Sequence, residues 1–447
     1  MKATTNDDVW QLASSVGVFL FFALMLSAPS GYSYGASLLL LSSVAFIAIS
    51  AVATLKSRKL RKNGVLLDGS MKPGRLAPLS IEDKIIVYAL LSVFLAAVLV
   101  FFVHGNSLST LDQSSRCVLA IVMLFFLLKI PPRLAFMWAG LVAGTLSAAG
   151  VAAWQIYVLA IPRATGFVTS AVPFGNEALT MGMLCAAGMF WAGTQGAYAR
   201  HWRLALFVGV LAGVYCSQAS GTRGGWVALL PVFALFCTAF FTRSNMPKAG
   251  AALAVVAVAA LALYHAQPNN SIEIRYQEAV SEIDNYLLRR DVATSIGGRL
   301  EAWRGAGLSV PERPLLGWGY VEYRHELERL VSRKELDPFV LTLVNTHNNY
   351  IEVLVFQGLI GLAALLALYA ATFCLFCKRL RAPDKTVRVL ALCGASLVVS
   401  FFVFGLTHVI LGRNNGITFF LVTLVIVWAS MRHQERVSQR QASSHIS

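Results

Sequence analysis

The chain has 447 residues, 57% apolar and only 13% charged, where a soluble domain carries about a quarter charged residues. Apolar runs of membrane-spanning length recur from end to end, which excludes a soluble globular fold and predicts an all-α polytopic membrane protein. The formal charge of +15 is therefore divided between two membrane faces, and nucleic acid is not an expected partner.

In chain order, six spans are expected at Trp10–Ala28, Tyr34–Leu55, Ile85–Val103, Cys117–Ile130, Leu134–Trp154 and Pro173–Gln195. Six more follow at Leu204–Gln218, Trp226–Phe241, Ala249–His265, Tyr350–Phe376, Val389–His408 and Ile417–Met431, about twelve in all. Trp10–Ala28 lacks a compact basic start and reads as a helix rather than a signal peptide. Gly140-x-x-x-Gly144 and Gly209-x-x-x-Gly213 suit close helix packing. The cysteines lie in or beside apolar runs, so disulfides are not expected, and Cys374-x-x-Cys377 reads as packing.

Residues 56–84 hold Lys56, Arg58, Lys59, Arg61, Lys62, Lys72, Arg75 and Lys84, which places that connection in the cytoplasm. Alternation then puts both termini inside and the long polar segment, about Gln267 to Asn345, outside. Within that segment Ile272, Tyr276, Val280, Ile283 and Leu287 recur at helical spacing, as do Tyr320, Tyr323, Leu327 and Leu330. Both stretches are expected as amphipathic helices over the bundle. The polar tail, 432–447, is expected to be disordered.

Arginine is unusually abundant on the predicted outer face. Arg116, Arg163, Arg223 and Arg413 fall in separate short outer loops. The long loop adds Arg275, Arg289, Arg290, Arg299, Arg304, Arg313, Arg324, Arg329 and Arg333, with Lys334 as its lysine. A guanidinium fork grips phosphate oxygens with two parallel bonds, so converging arginines suit a di-anionic ligand such as a lipid pyrophosphate. The plain alternative is pairing with outer carboxylates or lipid headgroups.

Three residues stand out. Arg223, in "S-G-T-R-G-G-W", joins two spans with almost no loop, beside glycines that leave the backbone open to a ligand. Arg299 and Trp303, in "G-G-R-L-E-A-W", share a helix face and can present a charge and a ring to a sugar phosphate; a salt bridge is the alternative for Arg299. His347, in "T-H-N-N-Y", begins the tenth span, where the positive helix end disfavours imidazolium and leaves a neutral base. Asn348 and Asn349 can cap that helix or orient a ligand. Together they suggest attack by an acceptor hydroxyl on the anomeric carbon of a pyrophosphate-linked sugar. His347 would take the proton and Arg223 and Arg299 would hold the leaving group. Direct displacement inverts the anomeric centre. Glu282-x-Asp284 is the nearest approach to an outer acidic pair, its members point apart on a helix, and no metal or other cofactor is expected.

These motifs, in this order, resemble the O-antigen ligase and O-antigen polymerase superfamily. The resemblance runs through "L-D-Q-S-S-R" (Leu111 to Arg116), "S-G-T-R-G-G-W", "G-G-R-L-E-A-W", "P-L-L-G-W-G-Y" (Pro314 to Tyr320) and "H-N-N-Y-I-E-V-L-V-F-Q-G-L-I-G" (His347 to Gly361). It implies a GT-C-like inverting glycosyltransferase of the Gram-negative inner membrane with its site on the periplasmic face. The donor would be undecaprenyl-pyrophosphate-linked glycan, used without metal, and the acceptor lipid A–core. His347, Arg223 and Arg299 would be catalytic. Arg163 and Arg116 would join Arg223 and Arg299 on the pyrophosphate, and Asn348, Asn349, Tyr350 and Trp303 would orient substrate. "V-P-F-G-N-E" from Val172 departs from the Asn-Pro of relatives. Domains are expected as nine spans in 1–265, a periplasmic loop in 266–346, three spans in 347–431, then the tail. A single long outer loop looks most like the ligase, with polymerase and protein O-oligosaccharyltransferase as sister activities. A solute transporter is the reading from another class, but it calls for charges near mid-membrane.

Overall fold

The computed structural model describes residues 6–62, 79–168, 170–222, 224–241, 250, 271–289 and 291–444. All regular structure among them is helical: α1 (Asn6–Leu24), α2 (Gly31–Lys62), α3 (Ile81–His104), α4 (Asp112–Lys129), α5 (Leu134–Ala153), α6 (Ala171–Ala192), α7 (Ala199–Ala219), α8 (Leu229–Phe240), α9 (Ser271–Arg289), α10 (Ser295–Ser309), α11 (Gly319–Ser332), α12 (Asn349–Cys377), α13 (Lys385–Gly405) and α14 (Asn414–Ser444). Nine of these, α1–α5, α7 and α12–α14, are long and apolar enough to cross a membrane, some with a flanking turn added. The protein is thus a helical polytopic membrane protein.

The other three expected spans differ. Pro173–Gln195 is helical as α6, but Asn176 and Glu177 in its first turns lower its hydropathy, and both are buried. Trp226–Phe241 becomes a 3-10 turn, Gly224–Ala228, and the 12-residue α8. Ala249–His265 lies outside the described residues.

Lipid tails are as apolar as leucine, so helix association relies on close packing. A Cβ on Gly144 would stand 2.0 Å from Phe22 O of α1, and one on Gly213 2.7 Å from Ala178 O of α6. The two small-residue motifs are where these helices touch. α14 is the central post, buried from Asn415 to Met431, with Phe419 stacked on Phe401 of α13 at 5.9 Å between centroids.

The two ends of the bundle carry different chemistry. At one end Arg379 pairs with Glu82 and Glu435, Arg432 reaches Asp83 at 3.6 Å, and Trp428 Nε1 donates to Asp83 Oδ1 at 2.9 Å. Residues 432–444, expected to be disordered, continue α14 as helix. Arg436 Nη2 donates to Leu128 O at 2.9 Å and Ser438 Oγ to Asp384 Oδ2 at 2.5 Å, so polar composition does not leave this segment without partners.

At the opposite end α9, α10 and α11 pack beside the start of α12. The expected helices are present. Tyr323, Leu327 and Leu330 of α11 form a small core with Trp318, Leu336, Val340 and Val355 of α12. On α9 the buried contact is instead Tyr286, whose hydroxyl donates to Glu301 Oε2 at 2.7 Å, while Val280, Ile283 and Leu287 are exposed. A carboxylate buried on α10 needs a donor, and this sets the rotation of α9.

Candidate active site

The turn before α12 is built from side chains that satisfy the free N–H groups of a helix start. Asn348 is the N-cap, its Oδ1 accepting from Tyr350 N at 2.9 Å and Ile351 N at 3.1 Å. Glu352 Oε2 reaches back to Thr346 N at 2.9 Å and Thr346 Oγ1 at 2.8 Å. Between them His347 adopts φ 54°, the left-handed region that few non-glycine residues enter and that clusters at functional sites. Its N–H donates to Asn345 Oδ1 at 3.0 Å, and Trp303 Nε1 donates to Thr346 O at 2.8 Å. The backbone of His347 is therefore held from both sides, while its half-buried imidazole has no hydrogen bond to a described residue.

Burial, then the charges of Arg299 and Arg413, push the His347 pKa below its ordinary 6.5. His408, in the connection from α13 to α14, is pushed to about 4 by burial and then by Arg413, His347 and Arg299. Two imidazoles and two guanidiniums thus act on one another at this end of the bundle. Both histidines are neutral at pH 7.

The described arginines that were expected on the outer face differ in their partners. Among the described residues Arg304 pairs with Glu301 at 3.7 Å, Arg324 with Glu328 at 3.2 Å, Arg329 with Glu326 at 2.6 Å, and Arg313 with Glu322. These follow the plain ion-pair alternative. Arg299 and Arg413, like Arg116, Arg163 and Arg333, have no described carboxylate within ion-pair distance, and the charges of Arg299 and Arg413 act on His347 and His408.

Arg116 lies on α4 and donates through Nη1 to Asn414 Oδ1 at 2.8 Å. Arg163 donates through Nε to Ser220 O at 2.8 Å. Arg223 lies outside the described residues. Its neighbours are placed: Thr222 Oγ1 donates to Ala171 O at 3.2 Å, and a Cβ on Gly224 would stand 3.2 Å from Thr407 Oγ1. Among the residues expected to orient substrate, Trp303 holds Thr346. Asn348 caps the helix and reaches Leu406 O through Nδ2 at 3.1 Å, and the Tyr350 hydroxyl donates to Phe402 O at 2.6 Å. Asn349 is buried, accepts from Leu411 N at 3.2 Å, and keeps an Nδ2 with no partner.

A cavity of about 530 Å³ opens beside this turn, lined by Asn349, Asn345, Glu352, Arg413, Gln113 and Ser114 at its polar part and by Val93, Val353, Leu365 and Ile417 deeper down. This mixture of polar and apolar lining suits an amphiphile.

Sequence reading singled out His347, Arg299 and Arg223. It noted Arg413, Glu352 and Glu177 without giving them a role in the reaction, and it did not name His408 or the Glu177–Asn415 contact, in which Asn415 Nδ2 donates to Glu177 Oε1 at 2.6 Å. The available signal was "L-T-H-V-I-L-G-R" from Leu406, a histidine and an arginine closing an apolar span.

Fold and site define a multi-pass helical membrane protein with a pocket at one end that Arg413, Asn349 and Glu352 line, next to the His347 turn. Residues 205–366 match the family described as O-antigen ligase. The chain is also similar to a protein of Haemophilus influenzae, described as uncharacterized, at 25% identity over 411 residues, 91% of this chain and 96% of that one. The family match begins in α7 and ends in α12, so it contains Arg299 and His347 but not His408 or Arg413.

Proposed function

We propose that the protein is an O-antigen ligase, an inverting and metal-independent glycosyltransferase. It moves glycan from undecaprenyl pyrophosphate to a sugar hydroxyl of lipid A–core. The supporting observation is the neutral imidazole of His347, without a hydrogen bond to a described residue, under the charges of Arg299 and Arg413, which have no described carboxylate within ion-pair distance. His347 takes the proton from the acceptor hydroxyl as the oxygen attacks the anomeric carbon. Arg299, with Arg223, holds the pyrophosphate and offsets the charge that grows as the C–O bond to phosphate breaks. In this reading the chain is GT-C-like, with about twelve spans in the Gram-negative inner membrane. The site faces the periplasm and both termini the cytoplasm. The location of the site at the helix ends suits a one-sided enzyme better than a solute transporter with a midplane site.

The test supplies purified protein in liposomes with lipid-pyrophosphate-linked glycan and lipid A–core, with and without EDTA. Transfer that persists in EDTA and disappears in His347→Ala supports the reading. Chain extension or peptide glycosylation with other acceptors, and none with lipid A–core, reassigns the protein to the polymerase or the protein O-oligosaccharyltransferase. An undiminished rate in His347→Ala removes the base.

A further inference from the structure

The connection from α13 to α14 is bound into the site along its length. Asn348 Nδ2 donates to Leu406 O at 3.1 Å and Leu411 N to Asn349 Oδ1 at 3.2 Å, so the connection runs beside the His347 turn. Farther on, Arg116 Nη1 holds Asn414 Oδ1 at 2.8 Å, and Asn415 Nδ2 donates to the fully buried Glu177 at 2.6 Å. A segment fixed by α12, α4 and α6 has little freedom, yet polar groups on it and beside it are left unsatisfied.

His408 is 6% exposed, and its Nε2 has no hydrogen-bond partner. Asn349, 2% exposed, likewise keeps its Nδ2 unpartnered and lines the cavity. Arg413 lines the same cavity and has no described carboxylate in ion-pair range. The hydrogen bonds to Asn348 and Asn349 set the connection that carries His408 and Arg413 next to the His347 turn, and the charges of Arg413, His347 and Arg299 all bear on His408. Buried polar atoms in folded proteins are almost always hydrogen-bonded, so each exception calls for an explanation. Buried nitrogens without a described partner, near guanidiniums that have no described carboxylate within ion-pair distance, match a ligand that is rich in acceptor oxygens and carries more than one negative charge.

We propose that His408 and Arg413 complete, with Arg299, the subsite for the diphosphate of the lipid-linked donor. His408 gives an Nε2–H hydrogen bond and Arg413 a two-pronged one to phosphoryl oxygens. This rests on the reading of the protein as a glycosyltransferase that uses a lipid diphosphate. It adds to that reading a binding segment outside the family match.

Binding of farnesyl diphosphate and farnesyl monophosphate to the full chain in detergent tests it, with melting temperature as the check on folding. The wild type binds the diphosphate at least about tenfold more tightly than the monophosphate. Arg413→Ala lowers diphosphate affinity about tenfold or more and removes that preference. His408→Phe lowers it about tenfold, while His408→Gln, which keeps an N–H donor, stays within about threefold. Arg304→Ala, whose arginine is paired with Glu301, changes nothing. Wild-type affinity in both Arg413→Ala and His408→Phe overturns the subsite and leaves the proposed function standing. Equal losses in His408→Phe and His408→Gln overturn the hydrogen bond. If His408→Phe does not fold, the half-buried Arg413→Ala decides alone. A wild type that shows no preference for diphosphate over monophosphate sinks the functional reading itself, and this inference with it.

Discussion

Gly317 and Gly358 meet backbone to backbone, so closely that a Cβ on Gly317 would stand 2.7 Å from the nitrogen of Gly358. Gly358 interrupts α12 with φ 63° and ψ −163°, a conformation open essentially to glycine alone. The freed backbone groups are taken up by the segment before α11. Leu359 N donates to Pro314 O at 2.8 Å, Ile360 N to Leu315 O at 3.2 Å, and Trp318 N to Val355 O at 2.8 Å. An interrupted helix in a membrane protein needs such partners. The "P-L-L-G-W-G-Y" and "F-Q-G-L-I-G" motifs are thus two halves of one joint, which ties the loop region to the helix that begins at the His347 turn.

Gly358→Ala should therefore cost roughly 1–3 kcal/mol in backbone strain alone, and more through the contact with Leu315, 2.3 Å from the new Cβ. A thermal melt of the purified variant should show a clear drop in midpoint together with reduced transfer. A variant that melts and turns over like the wild type would mean the joint does not support the site.

Trp303→Phe keeps an aromatic ring and removes the hydrogen bond to Thr346 O, 2.8 Å long in the wild type. Losing one neutral hydrogen bond is worth about 1 kcal/mol. The ring packs as before, so stability should change little. The freed Thr346–His347 peptide should lower kcat several-fold with KM nearly constant. A rise in KM at constant kcat would instead place the Trp303 ring on the substrate.

The helices and the catalytic candidates were readable because each rests on a local signal. Long apolar runs predict spans wherever a segment meets one solvent along its length. Asn176 and Glu177 break that signal in α6, a helix enclosed by other helices rather than by lipid. The stripe of Val280, Ile283 and Leu287 has the period of a buried face, yet these three are exposed and Tyr286 is buried against Glu301. His347 and Arg299 sit in polar motifs and are conspicuous there. His408 and Arg413 close an apolar span, and their meeting with Arg299 depends on three distant elements converging. Which outer arginines are paired is likewise a tertiary fact: Arg299 and Arg304 lie on the same helix, and the buried Glu301 takes Arg304.

That division makes a prediction. Arg299→Ala should weaken donor binding at least about tenfold, because a bidentate charge-assisted contact is lost. Arg313→Ala and Arg324→Ala remove exposed ion pairs worth up to about 1 kcal/mol and should leave donor affinity within about twofold. Equal losses across all three would mean that the outer face attracts the donor through its total charge, with no defined subsite.

The pH profile follows from the same cluster. Burial and the charges of Arg299 and Arg413 hold His347 below 6.5, so the basic form predominates at pH 6.5. The acid limb should fall below that value. Arg413→Gln removes one charge acting on both histidines, with Arg299 and Glu352 still in place, and should move the acid limb to higher pH. Stability has the same sign. Below pH 6.5 the unfolded chain takes protons on His347 and His408 that the folded chain refuses, His408 until about pH 4, so folding weakens as pH falls through this window. Melting temperatures from pH 7.5 to 4.5 should decline more steeply in the wild type than in His408→Gln, which has no imidazole to protonate. An acid limb unmoved in Arg413→Gln, measured where donor is saturating, would show that His347 does not titrate in the rate-limiting step.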